Sequence, residues 1–322
     1  MLTLHEAGLL TTLQDAGRYG SGHLGIGASG AADLPAWRLA NTLVGNPPGA
    51  SCALEITLLG PTLTCHTDTV IALTGAPLPQ ARLDEAALPM WRPVPVASGQ
   101  CLRLGPIPTG CRAYLAVAGG IDVPPWRGSR STDVNAALGP VPRALHDGDE
   151  LPLGRAGIRV PEEIPTWSLD PQPWFPDHAP RRLRLNRATH TDALTETALQ
   201  TLTDTAFHIG SQSNRVGVRL DGPQLSLREP LELVSEGLVP GVVQLPPDGV
   251  PIVMGPEHPV TGGYPRVAQV AAVDLPVLAQ CRPGDAIRLA WIEPAAAADL
   301  LARREHELGE LLVHIRQRLE SA

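Results

Sequence analysis

The sequence predicts a mainly β protein that ends in one long helix. Short runs rich in Val, Ile, Leu and Thr alternate with turns rich in Gly and Pro, which is typical of β-barrels and β-sandwiches. The 34 prolines leave little room for long helices. After Pro294 the composition changes to an Ala- and Leu-rich pattern with helical period. These three observations decide the fold class.

Several elements follow in chain order. Asp33 is a suitable N-cap, so Leu34–Leu43 is predicted to form a short helix with one apolar face. The predicted strands are the β-branched and apolar runs Thr69–Leu73, Cys101–Leu104, Arg112–Val117, Gly217–Leu220 and Ile252–Met254.

Similar short segments, each predicted to form a turn followed by a strand, recur along the chain. They read SGQCLRLG at Ser98–Gly105, DGDELPLG at Asp147–Gly154 and PGDAIRLA at Pro283–Ala290. Two related barrels would explain them, although such segments recur in any β protein. The Pro-rich and acidic segment Arg159–Pro180 suits a linker or a surface crossover. We therefore expect an N-terminal lobe at 1–160, a second lobe at 161–293 and a helix at 294–322.

The terminal helix is amphipathic. One face carries Leu301, Leu308, Leu311, Leu312, Ile315 and Leu319. We expect this face to dock on the chain itself, and the alternative is pairing with another chain.

Composition excludes several classes of protein. With 322 residues and 43% apolar content, the chain is long enough for two domains with cores. No apolar run approaches ~18 residues, and no basic segment precedes an apolar one at the N-terminus. We therefore expect a cytoplasmic protein with no membrane contact. A formal net charge of −8 argues against nucleic-acid binding.

The residue types also limit the chemistry. The chain contains no lysine, so all 25 basic side chains are arginine, and a catalytic or phosphate-binding lysine is excluded. The five cysteines form no CxxC pair and the histidines form no HExxH motif, so no metal site is predicted. A GxSxG elbow is absent, which disfavours a serine hydrolase.

Two segments contain the candidate site residues. Ser235–Pro265 packs many Gly and Pro around a few polar groups, which suits rigid loops lining a cavity. For any single polar residue here, the alternative is a turn that its side chain only caps. The polar groups are Ser235, Glu236, Gln244, Asp248, Glu257, His258 and Thr261.

The second segment, Leu13–Asp33, strings Asp15, Arg18, His23 and Asp33 through many glycines. The planar guanidinium of Arg18 is suited to pair with a substrate carboxylate.

These segments, with five further motifs, resemble a known family. The motifs are LANTLVGN (Leu39–Asn46), ALEITLLGPTL (Ala53–Leu63), YLAVAGGIDVP (Tyr114–Pro124), GSRST (Gly128–Thr132) and SQSNRVGVRLDGP (Ser211–Pro223). From about Leu10 to about Trp291 the chain is similar to the biotin-dependent carboxyltransferase-like family, also called allophanate hydrolase subunit 2. That family contains the C subunit of bacterial ATP-dependent 5-oxoprolinase, the carboxyltransferase region of urea carboxylase, and an antagonist of a sporulation-kinase inhibitor.

The resemblance implies a fold and a function. Family members are built from cyclophilin-like β-barrel lobes, so we expect two such lobes with a few short helices. The function it ranks first is a subunit of an ATP-dependent 5-oxoprolinase, which hydrolyses 5-oxo-L-proline to L-glutamate together with subunits A and B. The complex would use ATP, with Mg²⁺, bound by another subunit. The chain departs from the family at Asp133, where a Tyr usually follows GSRST.

Roles for single residues follow from the resemblance. Arg18 and Arg215 would hold anions, and Asp15 and Glu236 would act as base or orienting carboxylates. The substrate-binding candidates are Asp33, Gln244, His258, Thr261, Gly262, Gly263 and Tyr264.

Three rival functions belong to other classes, and one of them is a standalone substrate-binding module, which would bind ligand without catalysis. A urea carboxylase-like carboxyltransferase would need biotin on a separate carrier, since this chain has no lysine to carry it. A non-catalytic regulator would bind a kinase inhibitor that resembles the B subunit of 5-oxoprolinase, and it would show no turnover.

Overall fold

The computed structural model describes residues 1–47, 49, 51–175 and 181–321. The chain divides into two units, each assembled from separate stretches of sequence. Unit 1 combines Met1–Arg18, Asp33–Asp177 and Glu307–Ala322, and unit 2 combines Tyr19–Ala32 with His178–His306. The predicted boundaries at 160 and 293 stay a prediction.

Unit 1 is built from two antiparallel sheets. The six-stranded sheet has the order β11-β1-β4-β9-β6-β7, and the five-stranded sheet has the order β2-β3-β10-β5-β8. The strands are β1 (Leu2–Glu6), β2 (Leu10–Gln14), β3 (Ala53–Thr57), β4 (Leu59–Cys65), β5 (Thr69–Gly75), β6 (Arg82–Leu83), β7 (Ala86–Ala87), β8 (Val94–Val96), β9 (Cys101–Pro106), β10 (Arg112–Val117) and β11 (Glu150–Leu151).

The interior of unit 1 follows from its apolar runs. All seven residues of β5 are buried, as expected for a β-branched run covered on both faces. Helix α1 (Leu34–Leu43) begins where Asp33 accepts a hydrogen bond from the Ala36 amide at 3.1 Å. The predicted helix and its cap are therefore confirmed. The Thr74 hydroxyl, on β5, donates to the Ala36 carbonyl at 2.7 Å and fixes the helix on the sheet.

Unit 2 contains a closed seven-stranded barrel and a small ribbon. The barrel order is β12-β19-β16-β17-β14-β13-β20, and β12 and β20 close it as a parallel pair. The ribbon joins β15 and β18. The strands are β12 (Arg181–Arg187), β13 (Ala206–Ile209), β14 (Gly217–Asp221), β15 (Glu236–Gly237), β16 (Val242–Gln244), β17 (Ile252–Met254), β18 (Thr261–Gly262), β19 (Arg266–Val270) and β20 (Ala286–Trp291).

The barrel interior comes from strand alternation. On β20, Ile287 and Leu289 are buried while Arg288 between them is exposed. The buried cluster also includes Leu183, Leu185, Phe207 and Val243 from other barrel strands. Helices α2 (Glu196–Asp204) and α3 (Leu275–Ala279) also lie in this unit.

The last helix, α4, spans Pro294–Glu320, so the predicted C-terminal helix is confirmed. Leu308, Leu312 and Ile315 on its apolar face are buried. Near its end, the Arg318 guanidinium lies over the Trp167 ring, 6.0 Å from the ring centre. The buried face agrees with docking on the chain itself.

Three turns that precede strands share one geometry. In each, the third residue is a glycine with positive φ, at 90° for Gly99, 86° for Gly148 and 90° for Gly284. The backbone amide of the fourth residue donates a hydrogen bond to the carbonyl of the first residue. The side chain of the fourth residue accepts a hydrogen bond from the backbone amide of the first. The first and fourth residues are Ala97 and Gln100, His146 and Asp149, and Arg282 and Asp285. The recurring segments therefore encode a shared turn.

The predicted strands are confirmed within β5, β9, β10, β14 and β17. The mainly β class with a C-terminal helix is confirmed as well, and of the two predicted barrel lobes the described strands show a closed barrel in unit 2 and two sheets in unit 1. Residues 159–175 of the predicted linker contain no helix or strand, and residues 176–180 lie outside the described part of the chain.

Candidate functional site

Asp15, just after β2, is the centre of a buried hydrogen-bond cluster in unit 1. Its Oδ1 accepts from the Ser129 and Ser131 hydroxyls, both at 2.6 Å, and from the Gly17 amide at 2.8 Å. Its Oδ2 accepts from the Arg130 amide at 2.5 Å. Four donors occupy most of the acceptor sites of one carboxylate. The geometry therefore favours the orienting role for Asp15 over that of a base.

Arg18 lies beside this cluster and is also buried. One of its Nη atoms donates to the Ser131 carbonyl, and its guanidinium lies over the Trp126 indole, 5.3 Å from the ring centre. A Cβ on Gly139, where φ is 115°, would lie 2.4 Å from that same carbonyl oxygen and 3.3 Å from Arg18 Nη2. Glycine is thus required next to Arg18. The predicted anion-binding role of Arg18 stays a prediction.

Asp33 has a structural position. Its side chain caps α1, and its amide donates to the Tyr114 hydroxyl at 2.8 Å, which in turn donates to Glu55 Oε2 at 2.8 Å. Burial, and then the Glu55 charge, raise the pKa of Tyr114. Asp33 is fully buried. The structure therefore gives Asp33 a capping role, and its substrate contact stays a prediction.

Arg215 forms a buried ion pair in unit 2. Its Nε donates to Glu257 Oε1 at 2.5 Å, and neither side chain is more than 4% exposed. Its Nη2 donates to the Gly30 carbonyl at 2.7 Å and lies 3.5 Å from the Ser29 hydroxyl, in a loop where Ser29 has φ 54°. Arg215, just before β14, thus connects the 19–32 loop to the barrel. Its predicted role as a substrate anion clamp stays a prediction.

The β15–β18 ribbon brings together several predicted site residues. Glu236 pairs with Gly262 in register, and Gly237 with Thr261. A Cβ on Gly262 would lie 2.6 Å from Nε2 of the buried Gln244, so the ribbon packs closely on that amide. Gly263 and the half-exposed Tyr264 continue the chain from β18.

Arg266 organises the ribbon, although no sequence motif pointed to this residue. Its guanidinium forms an ion pair with Glu236 and donates to the Gly237 carbonyl at 3.3 Å. Its amide donates to His190 Nδ1 at 3.1 Å. Burial, and then the Arg266 charge, lower the pKa of His190, so this imidazole accepts the hydrogen bond in its neutral form.

His258 is buried and has a defined tautomer. Its Nδ1 lies 2.8 Å from the Pro259 carbonyl oxygen. Because a carbonyl only accepts, Nδ1 carries the proton, and Nε2 is the acceptor in the neutral ring. His258 therefore orients its own turn, and its predicted contact with substrate stays a prediction.

Cys52 and Cys65 are buried thiols that offer no activated nucleophile. All five cysteines are free, and four of them are buried. Burial raises the pKa of Cys52 and, to about 12, that of Cys65. Such thiols stay protonated at neutral pH.

The described residues do not fit a nucleotide-binding or metal site of familiar type. Gly20, Gly22 and Gly25 have the spacing GxGxxG, a motif not named among the sequence predictions above. They surround a three-residue 3₁₀ helix, Gly22–Leu24, and the strand and α-helix that flank a dinucleotide fingerprint are absent next to it. No group of three or more His, Cys, Asp or Glu side chains suited to a metal occurs in the described part of the chain. Over the same residues, no helix is both long and apolar enough to cross a membrane.

Comparison with known proteins identifies the family. Residues 24–291 match the family model for the carboxyltransferase domain, subdomains A and B. The chain belongs to this family. The predicted resemblance is therefore confirmed.

Individual members of the carboxyltransferase family show how far the similarity extends. The chain is 40% identical to the 5-oxoprolinase C subunit of Escherichia coli K12, over 95% of this chain and 96% of that protein. It is 32% identical to urea amidolyase of Lachancea kluyveri, over 91% of this chain and 17% of that one. The solved structure of Kluyveromyces lactis urea carboxylase matches with a TM-score of 0.86 and 30% identity, over 95% of this chain and 29% of that one.

Proposed function

We propose that this chain is a subunit of a cytoplasmic, ATP-dependent 5-oxoprolinase that hydrolyses 5-oxo-L-proline to L-glutamate with subunits A and B. The observation that carries the proposal is the 40% identity to a protein named as the C subunit of 5-oxoprolinase, over nearly all of both chains. The urea amidolyase match covers 17% of a much longer protein, so it supports a shared domain more than a shared activity.

The reaction divides naturally between subunits. A lactam is a poor electrophile, and phosphorylation of its carbonyl oxygen by ATP would prepare it for attack by water. This chain has no lysine, and its described residues include no group suited to a metal, so we assign Mg²⁺ and ATP to a partner subunit. The present chain would bind and orient the substrate.

Two regions of the chain are candidates for that task. In unit 1, Asp15 and Arg18 would form a rigid wall, since their contacts with residues 129–131 leave little freedom. In unit 2, the ribbon would supply the Glu236 carboxylate and Tyr264 at an exposed surface. The further contacts are assigned to Gln244, His258, Thr261, Gly262 and Gly263.

A carboxyltransferase is the second candidate, and the match to urea carboxylase at a TM-score of 0.86 favours it. Biotin would then arrive on a separate carrier protein, because this chain has no lysine for its attachment. Such an enzyme would consume carboxybiotin and would not release glutamate from 5-oxoproline.

The test is reconstitution. The chain is co-expressed with candidate subunits A and B, and ATP-dependent glutamate release from 5-oxoproline is measured with each chain omitted in turn. Release that requires this chain supports the proposal. A stable three-chain complex without release contradicts it and favours the carboxyltransferase or the regulator.

A pair of variants tests the ribbon within the active complex. Glu236→Gln removes the carboxylate charge that pairs with Arg266 and that is proposed to act on the substrate. We expect kcat/KM to fall at least about 10-fold, because a charge-assisted contact at the site is lost. Glu232→Gln alters an exposed carboxylate four residues earlier and should leave kcat/KM unchanged. Equal activity of both variants would remove Glu236 from the site.

A further inference from the structure

Residues Trp126–Ser129 form a tight hairpin turn that no sequence motif predicted. The Trp126 amide donates to the Ser129 carbonyl at 2.8 Å, and the Ser129 amide donates back to the Trp126 carbonyl at 3.2 Å. The two central residues, Arg127 and Gly128, have φ of 49° and 79°. Two consecutive left-handed residues define a type I′ turn.

Arginine is an unusual residue at the first central position of this turn. Type I′ turns strongly prefer Asn, Asp or Gly there, because a larger side chain disfavours positive φ. Gly128 meets the preference at the second position and Arg127 does not. Positions that break a local rule within a well-anchored structure are expected at functional sites.

Hydrogen bonds made by Ser129 and Arg130 hold the turn in place. Ser129 donates its hydroxyl, and Arg130 its amide, to the Asp15 carboxylate at 2.6 and 2.5 Å. Arg130 also donates its Nε to the Val123 carbonyl at 2.7 Å. The tip that carries Arg127 is therefore fixed before any ligand arrives, which lowers the entropic cost of binding.

The Arg127 side chain is positioned and still accessible. Its guanidinium lies over the Trp126 ring, 5.5 Å from the ring centre, and Arg18 lies over the same ring. Arg127 is exposed, and it forms no ion pair with any residue in the described part of the chain. Stacking on an indole restrains a guanidinium while its N–H edge stays available for a planar carboxylate.

We propose that Arg127 binds the carboxylate of the substrate through this edge, with Trp126 as its support. The proposal rests on the proposed function, because 5-oxoproline carries one carboxylate beside its lactam. Two guanidinium groups on one indole also concentrate positive charge at the tip, which favours an anionic ligand.

The first experiment reads Arg127 directly and needs no turnover. The full-length chain, alone and in complex with its partners, is treated with phenylglyoxal, which modifies accessible arginines, and the modified peptides are quantified by mass spectrometry. Arg155, which is exposed in the same unit, is the internal control. We expect 5-oxoproline to protect Arg127 and not Arg155, and 2-pyrrolidinone, which lacks the carboxylate, to protect neither. Absence of protection by 5-oxoproline in both forms overturns the proposal, as does protection by inorganic phosphate alone.

Three variants separate binding from folding in the active complex. Arg127→Asn suits the left-handed conformation, so we expect Tm unchanged or slightly raised, while KM for 5-oxoproline rises about 10- to 100-fold as one charge-assisted contact is lost. Arg127→Lys keeps the charge without the planar fork and should recover affinity only in part. Arg155→Gln should match the wild type. An unchanged KM in Arg127→Asn overturns the proposal, whereas an inactive wild-type complex would count against the proposed function alone.

Discussion

Replacing Asp15 with Asn is the sharpest test of the buried cluster in unit 1. The substitution keeps the shape of the side chain but turns one acceptor oxygen into an NH₂ group. Asp15 accepts four hydrogen bonds, from Ser129, Ser131, Gly17 and the Arg130 amide. An amide in its place would oppose a donor to a donor at one or more of these contacts.

The expected loss of stability follows from the number of hydrogen-bond donors that lose their acceptor. Each hydrogen bond to a buried charge contributes about 1.5–3 kcal/mol, and breaking a buried charged network typically costs about 3–5 kcal/mol. We therefore expect Asp15→Asn to lower the free energy of unfolding by about 3–5 kcal/mol, or Tm by roughly 10 °C for a unit of this size.

The assay is thermal and urea unfolding followed by circular dichroism, with Asp122→Asn as the control. Asp122 is 60% exposed and lies 3.4 Å from Arg130, so its loss should change stability by less than about 0.5 kcal/mol. If Asp15→Asn keeps the wild-type Tm and loses activity, then Asp15 acts in the chemistry and the orienting role is wrong.

Three further outcomes are expected from unfolding measurements. Hydrogen bonds from Arg143 lower the pKa of Asp149, so this pair stabilises the fold above about pH 4. Asp149→Asn should therefore lower the free energy of unfolding by up to about 1 kcal/mol at pH 7. This difference from the wild type should disappear as the pH falls through the lowered pKa of Asp149. A pH-independent difference would contradict this cause. Gly139→Ala should destabilise more than Gly148→Ala, because both have positive φ but only the first places a Cβ against backbone, at 2.4 Å. Ile315→Ala should cost about 2–4 kcal/mol if α4 is docked, and a cost below about 1 kcal/mol would contradict docking.

Local sequence patterns predicted the helices and strands, whereas contacts between residues far apart in the sequence were not predicted. Arg112–Val117, Ile252–Met254 and the Asp33-capped helix match the structure because each depends on adjacent residues. The partner of Arg215 is Glu257, 42 positions away, and no spacing rule connects them. The same is true of Asp15 and its donors.

The candidate site was predicted in part for the same reason. The Gly- and Pro-rich composition of 235–265 predicted rigid loops lining a cavity, and the structure brings Glu236, Gln244 and Thr261 together at the β15–β18 ribbon. Arg266 lay one residue beyond that segment, and only the register of β15 and β18 places it beside Glu236. The Trp126–Ser129 turn was missed because Arg127 contradicts the residue preference that identifies such turns.

The contact between Arg215 and the Gly30 carbonyl joins residues 185 positions apart. Ribosomes add about 5–20 residues per second, so the 19–32 loop would wait roughly 10–40 s for Arg215 to be made. During that interval the first part of unit 2 has emerged without the strands that complete it, while most of unit 1 is being synthesised. Unit 2 therefore cannot be completed from one continuous stretch of chain, and a fragment that starts at residue 178 would lack Gly30, whose carbonyl the buried Arg215 binds.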